Sequence, residues 1–177
     1  RLLFHEKILR SMPAAHDNRP ARKATLSWAL YDWANSAFAV TVLSAFFPLL
    51  FRQYWSAGHD GASTTLHLAA ANSAASVVVA ALAPLLGTIA DRSRAKKWWL
   101  GASTALAIAM TAMLPLVASG HWPLALGLFS LALVGFSVAN VFYDALIVEV
   151  APPDRVHGVS ALGFALGYLG GGLLFAF

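Results

Sequence analysis

The sequence predicts an all-α membrane protein with about five transmembrane helices. Of its 177 residues, 59% are hydrophobic and 11% are charged, whereas a soluble globular domain carries roughly 25% charged residues. The apolar residues form long runs separated by short polar segments, which differs from the apolar stripe of a soluble helix. Basic residues are concentrated in alternate connections between these runs. Together these features indicate a chain whose main solvent is lipid.

Five runs are each long enough to cross a bilayer, which takes roughly 20 apolar residues as a helix. They cover about 26–51, 66–90, 98–118, 122–150 and 159–177. Residues 1–23 are predicted to form a polar N-terminal tail, with Met12 as a candidate natural start, and 24–177 to form the membrane region. The fifth run is still apolar at Phe177. We therefore expect a truncated N-terminal fragment of a longer protein.

The distribution of Lys and Arg predicts the orientation. Except for Arg52, these residues lie in the tail, in the second connection near 92–97 and in the fourth connection at Arg155. The third connection, 119–123, carries none. Helices alternate in direction, so these cations all lie on one side, which is predicted to be cytoplasmic. We expect an integral protein of a bacterial inner (plasma) membrane, with its N-terminus in the cytoplasm.

Several classes of function lack the residues they need. Without cysteine there is no disulfide, thiolate metal site or cysteine nucleophile, and the six histidines show no metal-binding spacing. The sequence has no Walker motif and no convergent catalytic set, so we predict no enzyme activity, no cofactor and no metal. The basic charge belongs to loops and does not indicate a nucleic-acid partner. A secondary carrier and a non-transporting scaffold subunit remain as alternatives.

Helices one and four each carry an intramembrane polar face, with polar residues at i, i+3 and i+4. These two helices run in opposite directions, so Asp32 near the start of one and Asp144 near the end of the other are expected at similar depth. A charge facing lipid is unfavourable, so both faces should line one cavity. The predicted cavity residues are Tyr31, Asp32, Asn35, Ser36, Asn140, Tyr143 and Asp144.

Other readings of these polar faces stay open. The polar residues could lock helix packing, or the carboxylates could reach the headgroups. In a carrier, Asp32 and Asp144 are expected to exchange protons and make transport proton-dependent. Alternatively, a cationic group of the substrate or a lysine from a missing half keeps both ionised, and they then bind substrate without carrying protons. Intramembrane polar faces on two helices favour the carrier over the scaffold.

The second connection contains the most specific local pattern, GTIADRSRAKK at 87–97. It resembles the major facilitator loop signature G-x-x-x-D-R-x-G-R-K, although Arg94 stands where Gly is usual and Ala95 where a basic residue is usual. The glycine would allow close approach of two helices, and the charges would form ion pairs that close the cytoplasmic face. The residues of this predicted gate are Gly87, Asp91, Arg92, Lys96 and Glu149. The alternative is an ordinary basic cytoplasmic loop.

Four further segments are similar to the unknown major facilitator family, which is related to fungal vacuolar amino-acid effluxers. They are WALYDWANSAF at 28–38, VFYDAL at 141–146, APPDR at 151–155 and LGFALGYLGG at 162–171. Asp144 stands where Asn is expected, and Val148 with Glu149 where Pro-Asp is expected. The resemblance implies a carrier of about twelve helices in two halves around a central cavity lined by helices one and four. This chain would supply helices one to five of the N-terminal six-helix half and need the C-terminal half as its partner.

The same resemblance implies small solutes such as amino acids as substrates, with sugars or drugs as alternatives. In helix five, small residues at Gly163, Gly167, Gly170 and Gly171 are predicted to permit close helix packing. A phosphate-binding loop would need a loop setting and a following lysine, and neither is present.

Overall fold

The computed structural model describes residues 19–92 and 95–176, and within them it confirms the predicted fold class. These residues hold five helices that are long and apolar enough to cross a membrane, and they contain no β-strand. Residues 1–18 of the predicted tail, including Met12, lie outside the described residues, and residues 19–23 belong to the first helix.

The first two helices extend beyond the predicted apolar runs at both ends, the third and fifth begin earlier than predicted, and the fourth, with its last turn, has the predicted bounds. We name them α1 to α5. Helix α1 consists of Arg19–Phe38, Ala39–Phe46, Phe47–Leu50 and Phe51–Trp55; α2 is Gly61–Arg92; α3 is Lys96–Met113 with a 3₁₀ turn at Leu114–Leu116; α4 is Trp122–Ala145 with a last turn at Ile147–Val150; α5 is Val156–Ala176.

Helix α1 changes its winding in its second half. Ala39–Phe46 and Phe51–Trp55 are π-helical and flank the short α-helical piece Phe47–Leu50. Pro48 lies in that piece and has no N–H to donate, so regular α-helical bonding cannot continue through it. Such π-helical turns inside a longer helix accommodate a local break without ending the helix.

Helix α2 begins earlier than the apolar run because Asp60 caps it. The backbone N–H groups of Ala62 and Ser63 donate to Asp60 Oδ1 at 2.9 and 3.0 Å. These bonds satisfy donors that a helix start leaves free. The hydrogen bond from the Ser63 backbone, which favours the ionised carboxylate, lowers the pKa of Asp60.

Helix α4 lies at the centre of the described bundle. Helices α2 and α3 both pack on α4, while α5 packs along α1. A larger share of α4 is buried than of any other described helix. Many large apolar side chains on the other helices are exposed, among them Leu66, Val77, Leu85 and Ile108, as lipid-facing side chains are.

The two ends of the bundle differ in chemistry. At one end, Thr25 Oγ1 donates to the Val150 carbonyl at 2.8 Å, which places the start of α1 beside the end of α4. We call this the basic end, because the α2–α3 and α4–α5 connections, which carry lysine and arginine residues, also lie there. The opposite end is closed by an aromatic core in which Phe47 stacks on Phe129 with ring centroids 3.7 Å apart.

The α1–α5 contact depends on residues without side chains. An ideal Cβ at Gly170 would lie 2.5 Å from the Trp33 carbonyl oxygen and 2.6 Å from its ring. A Cβ at Gly171 would lie 2.9 Å from Val40. Real Cβ atoms do not approach backbone this closely, so glycine sets the distance between the two helices.

We predict that Gly170→Ala in the full-length protein lowers stability by about 1–3 kcal/mol, because the added methyl group forces α5 away from α1. Gly172→Ala is the matched control, since its Cβ would meet no atom within 4 Å. Thermal unfolding of both variants in detergent measures the difference. Equal melting temperatures for Gly170→Ala and Gly172→Ala would contradict the prediction.

Candidate functional site

A cavity of about 390 Å³ opens between α1, α4 and α5. Its lining residues come from all three helices and are mixed in character. They are Trp28, Asp32, Asn35, Asn140, Tyr143, Asp144, Ile147, Ser160 and Phe164. This volume falls within the range of small-molecule sites in proteins.

The cavity holds the carboxylates of Asp32 and Asp144 together. Asp32 lies in the second half of Arg19–Phe38, the α-helical part of α1, and Asp144 lies in the last turn of the main α4 segment. Because the two helices are antiparallel, these two residues, which are far apart in sequence, lie at a similar depth near the basic end. Within the described residues, neither carboxylate forms a hydrogen bond or an ion pair.

An aromatic stack forms the wall beside these carboxylates. The Tyr143 ring lies between Trp28, at a centroid distance of 4.5 Å, and Tyr31, at 5.1 Å. Trp28 Nε1 donates to the Tyr143 carbonyl oxygen at 3.1 Å, and the Tyr31 and Thr104 hydroxyl oxygens are 2.9 Å apart. These contacts tie α1 to α4 and α3. The wall is therefore fixed in position by packing and by hydrogen bonds at both edges.

Two polar atoms of the lining are buried and lack a partner among the described residues. They are Asn140 Oδ1 and the Tyr143 hydroxyl oxygen. A buried polar atom without a hydrogen bond is unfavourable, and the exceptions found in folded proteins often mark a binding or catalytic role. Both atoms belong to residues that line the cavity.

The structure groups most of the predicted cavity residues and separates two of them. Asp32, Asn35, Asn140, Tyr143 and Asp144 line the cavity together. Tyr31 belongs to the aromatic stack but does not line the cavity, and its hydroxyl group contacts Thr104 of α3. Ser36 faces α5, where its hydroxyl oxygen would lie 2.7 Å from a Cβ at Gly167.

Sequence reasoning missed the part of the lining that carries no charge. Trp28 precedes Asp32 by four residues and therefore lies on the same helix face, so the helical spacing could have predicted Trp28 as a lining residue. Ser160 and Phe164 show the same spacing on α5, but their apolar surroundings in sequence gave no reason to single them out. Ile147 follows the turn at Leu146 that ends the main α4 segment, and no pattern predicts where such a turn directs a side chain.

Glycines of α5 shape the back of the cavity. A Cβ at Gly167 would lie 2.8 Å from Asp32 Oδ2, and one at Gly163 would lie 2.7 Å from the Trp28 ring. Alanine at either position would push a lining side chain. The glycine spacing on α5 thus sets where Asp32 and Trp28 stand, as well as how closely the helices pack.

The predicted gate residues lie at the basic end, and the structure pairs two of them. Lys96 Nζ lies 2.8 Å from Glu149 Oε1, and it donates a longer bond of 3.4 Å to the Ala145 carbonyl oxygen. The Lys96 side chain is 12% exposed and that of Glu149 is 47% exposed. The pair therefore joins the start of α3 to the last turn of α4, with the cation well enclosed.

The other gate residues are not brought into this pair. Asp91 is exposed at the end of α2. A Cβ at Gly87 would meet nothing within 4 Å, so the described helices do not approach each other closely at that position. The side chain of Arg92 lies outside the described residues.

Among the described residues, no group of three or more histidine, aspartate or glutamate side chains could hold a metal ion. The ring of His67 instead stacks on Trp122, with centroids 4.1 Å apart.

Comparison with known proteins places this geometry in context. Residues 3–174 match the Major Facilitator Superfamily. Over 145 residues the chain is 44% identical to YxiO of Bacillus subtilis strain 168, named as an uncharacterized MFS-type transporter; the alignment covers 81% of this chain and 34% of YxiO. The chain thus spans about a third of the length of that relative. No solved structure matches the chain.

Proposed function

Because the chain belongs to the major facilitator superfamily, whose members are membrane carriers and not enzymes, we propose that it forms part of a secondary active transporter for small solutes such as amino acids. The solute would bind in the α1–α4 cavity and cross by alternating access. The remaining part of the protein would supply the opposite wall, since major facilitators bind substrate between two halves.

The observation that carries this proposal is the pair of carboxylates in one cavity of an otherwise apolar bundle. Asp32 and Asp144 come from different helices, and both line a space large enough for a small solute. Ionisable residues within membrane spans are unfavourable and usually serve a substrate or ion pathway. A scaffold subunit would have no need of a carboxylate pair that no described residue neutralises.

Amino acids are the proposed substrates because of family resemblance, supported by the chemistry of the lining. The segments at 28–38 and 141–146, which resemble the amino-acid effluxer relatives, contribute Trp28, Asp32, Tyr143 and Asp144 to the cavity. The carboxylates, amides and hydroxyl groups of the lining match the polar groups of an amino acid. Sugars or drugs as substrates remain the competing outcome.

Protons are proposed as the coupling ion. A carboxylate in a water-filled cavity can take a proton when the cavity opens to one side and release it when it opens to the other. Asp32 and Asp144 line the same cavity, where two ionised carboxylates repel each other, and no described residue of the lining is a cation that would offset the repulsion. Binding of a proton would relieve it.

The basic end is proposed as the cytoplasmic gate, following the positive-inside rule. The Lys96–Glu149 pair would hold α3 and α4 together there in one transport state, and Asp91 with Arg92 would pair across to the other half. Alternating access requires such contacts to form and break.

We predict that cells lacking the full-length protein show altered amino-acid pools relative to cells that carry it, because a carrier changes the distribution of its substrate. Mass spectrometry of cell extracts and medium makes the measurement. Re-expression of the protein is the control and should restore the pools. A selective change in sugars or in drug tolerance would contradict the amino-acid proposal.

We predict that Asp32→Asn and Asp144→Asn in the full-length protein abolish accumulation driven by a proton gradient but spare exchange down a concentration gradient. Neutral side chains can still contact substrate but cannot carry a proton. Asp154→Asn is the matched control, because Asp154 lies in the exposed α4–α5 connection and pairs loosely with Arg155 at 3.7 Å. Unchanged accumulation with an unaltered pH dependence in both cavity variants would rule out coupling through this pair.

We predict that Lys96→Gln, Glu149→Gln and Asp91→Asn each reduce turnover by at least about fivefold, since each removes a charge from the gate that favours one transport state. Initial uptake rates, normalised to protein abundance, measure the effect. Lys97→Gln is the control, because Lys97 carries the same charge next to Lys96 but is exposed. If the Lys96 and Lys97 variants transport equally, the segment is an ordinary basic loop.

A further inference from the structure

We propose that the α1–α4 wall of the cavity binds the cationic amine group of the solute, so that an amine is required for recognition and a substrate carboxylate is not bound here. This inference rests on the proposed function, and it assigns one end of the substrate to one wall. It follows from the inventory of polar atoms that the wall presents.

The wall presents acceptors and negative charge. Asp32 and Asp144 offer carboxylate oxygens, and Asn140 Oδ1 adds a buried acceptor that no described residue satisfies. The buried Tyr143 hydroxyl oxygen also lacks a partner and can accept. The described lining contains no lysine, arginine or histidine, so it offers an anionic group no positive charge to offset the two carboxylates.

An ammonium group complements this arrangement. It carries one positive charge and several N–H donors in different directions, which suits acceptors that belong to different helices. Hydrogen bonds between an ammonium and a carboxylate are among the stronger ones available to proteins. A carboxylate or phosphate group at the same place would face two like charges, and no described cation in the lining would offset them.

The apolar part of the lining favours an organic cation over a bare metal ion. Trp28, Ile147 and Phe164 stand beside the carboxylates and would cover the carbon skeleton of the solute. A sodium ion would bind the carboxylates but would leave this surface in contact with water. Organic amines satisfy both kinds of surface.

Binding of matched compounds to the purified full-length protein tests the inference, with ligand-induced stabilisation as the readout. One set is phenylalanine, phenethylamine and phenyllactate, and a smaller set is alanine, ethylamine and lactate. Within each set the second compound keeps the amine and lacks the carboxylate, and the third keeps the carboxylate and lacks the amine. Sodium chloride without any of the six serves as the metal-ion arm.

We expect an amine to raise the Tm at concentrations within about tenfold of those needed for its amino acid, and the hydroxy acid to need at least about 100-fold more, because a site built around substrate N–H donors discriminates strongly against their loss. Asp32→Asn and Asp144→Asn should each raise the amine concentration needed for a given increase in Tm at least about tenfold, because a charge-assisted hydrogen bond is lost while the neutral side chain still contacts the solute. Asp154→Asn should leave that concentration unchanged. If either cavity variant fails to fold, the comparison among compounds on the unmodified protein still decides the question.

Stabilisation by the hydroxy acids as strong as by the amines overturns the inference. So does a full effect of sodium chloride alone, or the absence of any effect from all six compounds. Failure of the proposed function is distinguishable, because it appears as unchanged amino-acid pools in cells. Binding of amines without transport would leave the inference standing and remove the carrier proposal.

Discussion

The rotation of α1 and of α4 about their axes follows from one constraint, which is that a carboxylate inside a bilayer-spanning helix cannot face hydrocarbon. Asp32 and Asp144 each force one face of their helix toward protein or water. Antiparallel helices satisfy both residues with one cavity, and the structure adopts that solution. The exposed apolar side chains elsewhere, such as Val77 and Ile108, then turn outward without conflict. The carboxylates thus fix the rotation of α1 and α4 about their axes.

The glycines of α5 make this solution possible in a narrow space. With helices in van der Waals contact, the side chains of α1 need room, and Gly163 and Gly167 provide it next to Trp28 and Asp32. The same absence of side chains brings the α5 backbone to the Trp33 carbonyl at Gly170. Packing and site geometry are therefore one property of this interface. A substitution that pushes these helices apart therefore also moves the carboxylate of Asp32. A substitution at Gly172, which faces open space, does neither.

The sequence predicts the helices and the polar faces well because both depend on local pattern. Apolar length fixes the number of spans, and the spacing of Asp32 with Asn35 fixes a shared face. How a helix is rotated relative to its neighbours depends on packing. The sequence pattern alone therefore could not distinguish Asn35, which lines the cavity, from Ser36, which faces α5. Capping explains the early start of α2, because Asp60 lies in a polar segment that hydropathy alone treats as loop. Likewise, no local rule predicts that Lys96 forms its ion pair with Glu149, because Asp91 is an acidic residue much nearer in sequence.

The cavity and the basic end share the last turns of α4, and this shared segment would connect the proposed gate with the proposed substrate site. Lys96 Nζ reaches both Glu149 and the carbonyl oxygen of Ala145, the residue that follows Asp144. The helix turns at Leu146 between these two contacts, so the ammonium of Lys96 spans the break in α4. Movement of α3 away from α4 would break both contacts of Lys96 with the last turns of α4, including the one to the residue after Asp144. In the proposed carrier, charge in the cavity and charge at the gate would therefore act on the same short segment, which is a physical route by which a binding site and a gate can be coupled.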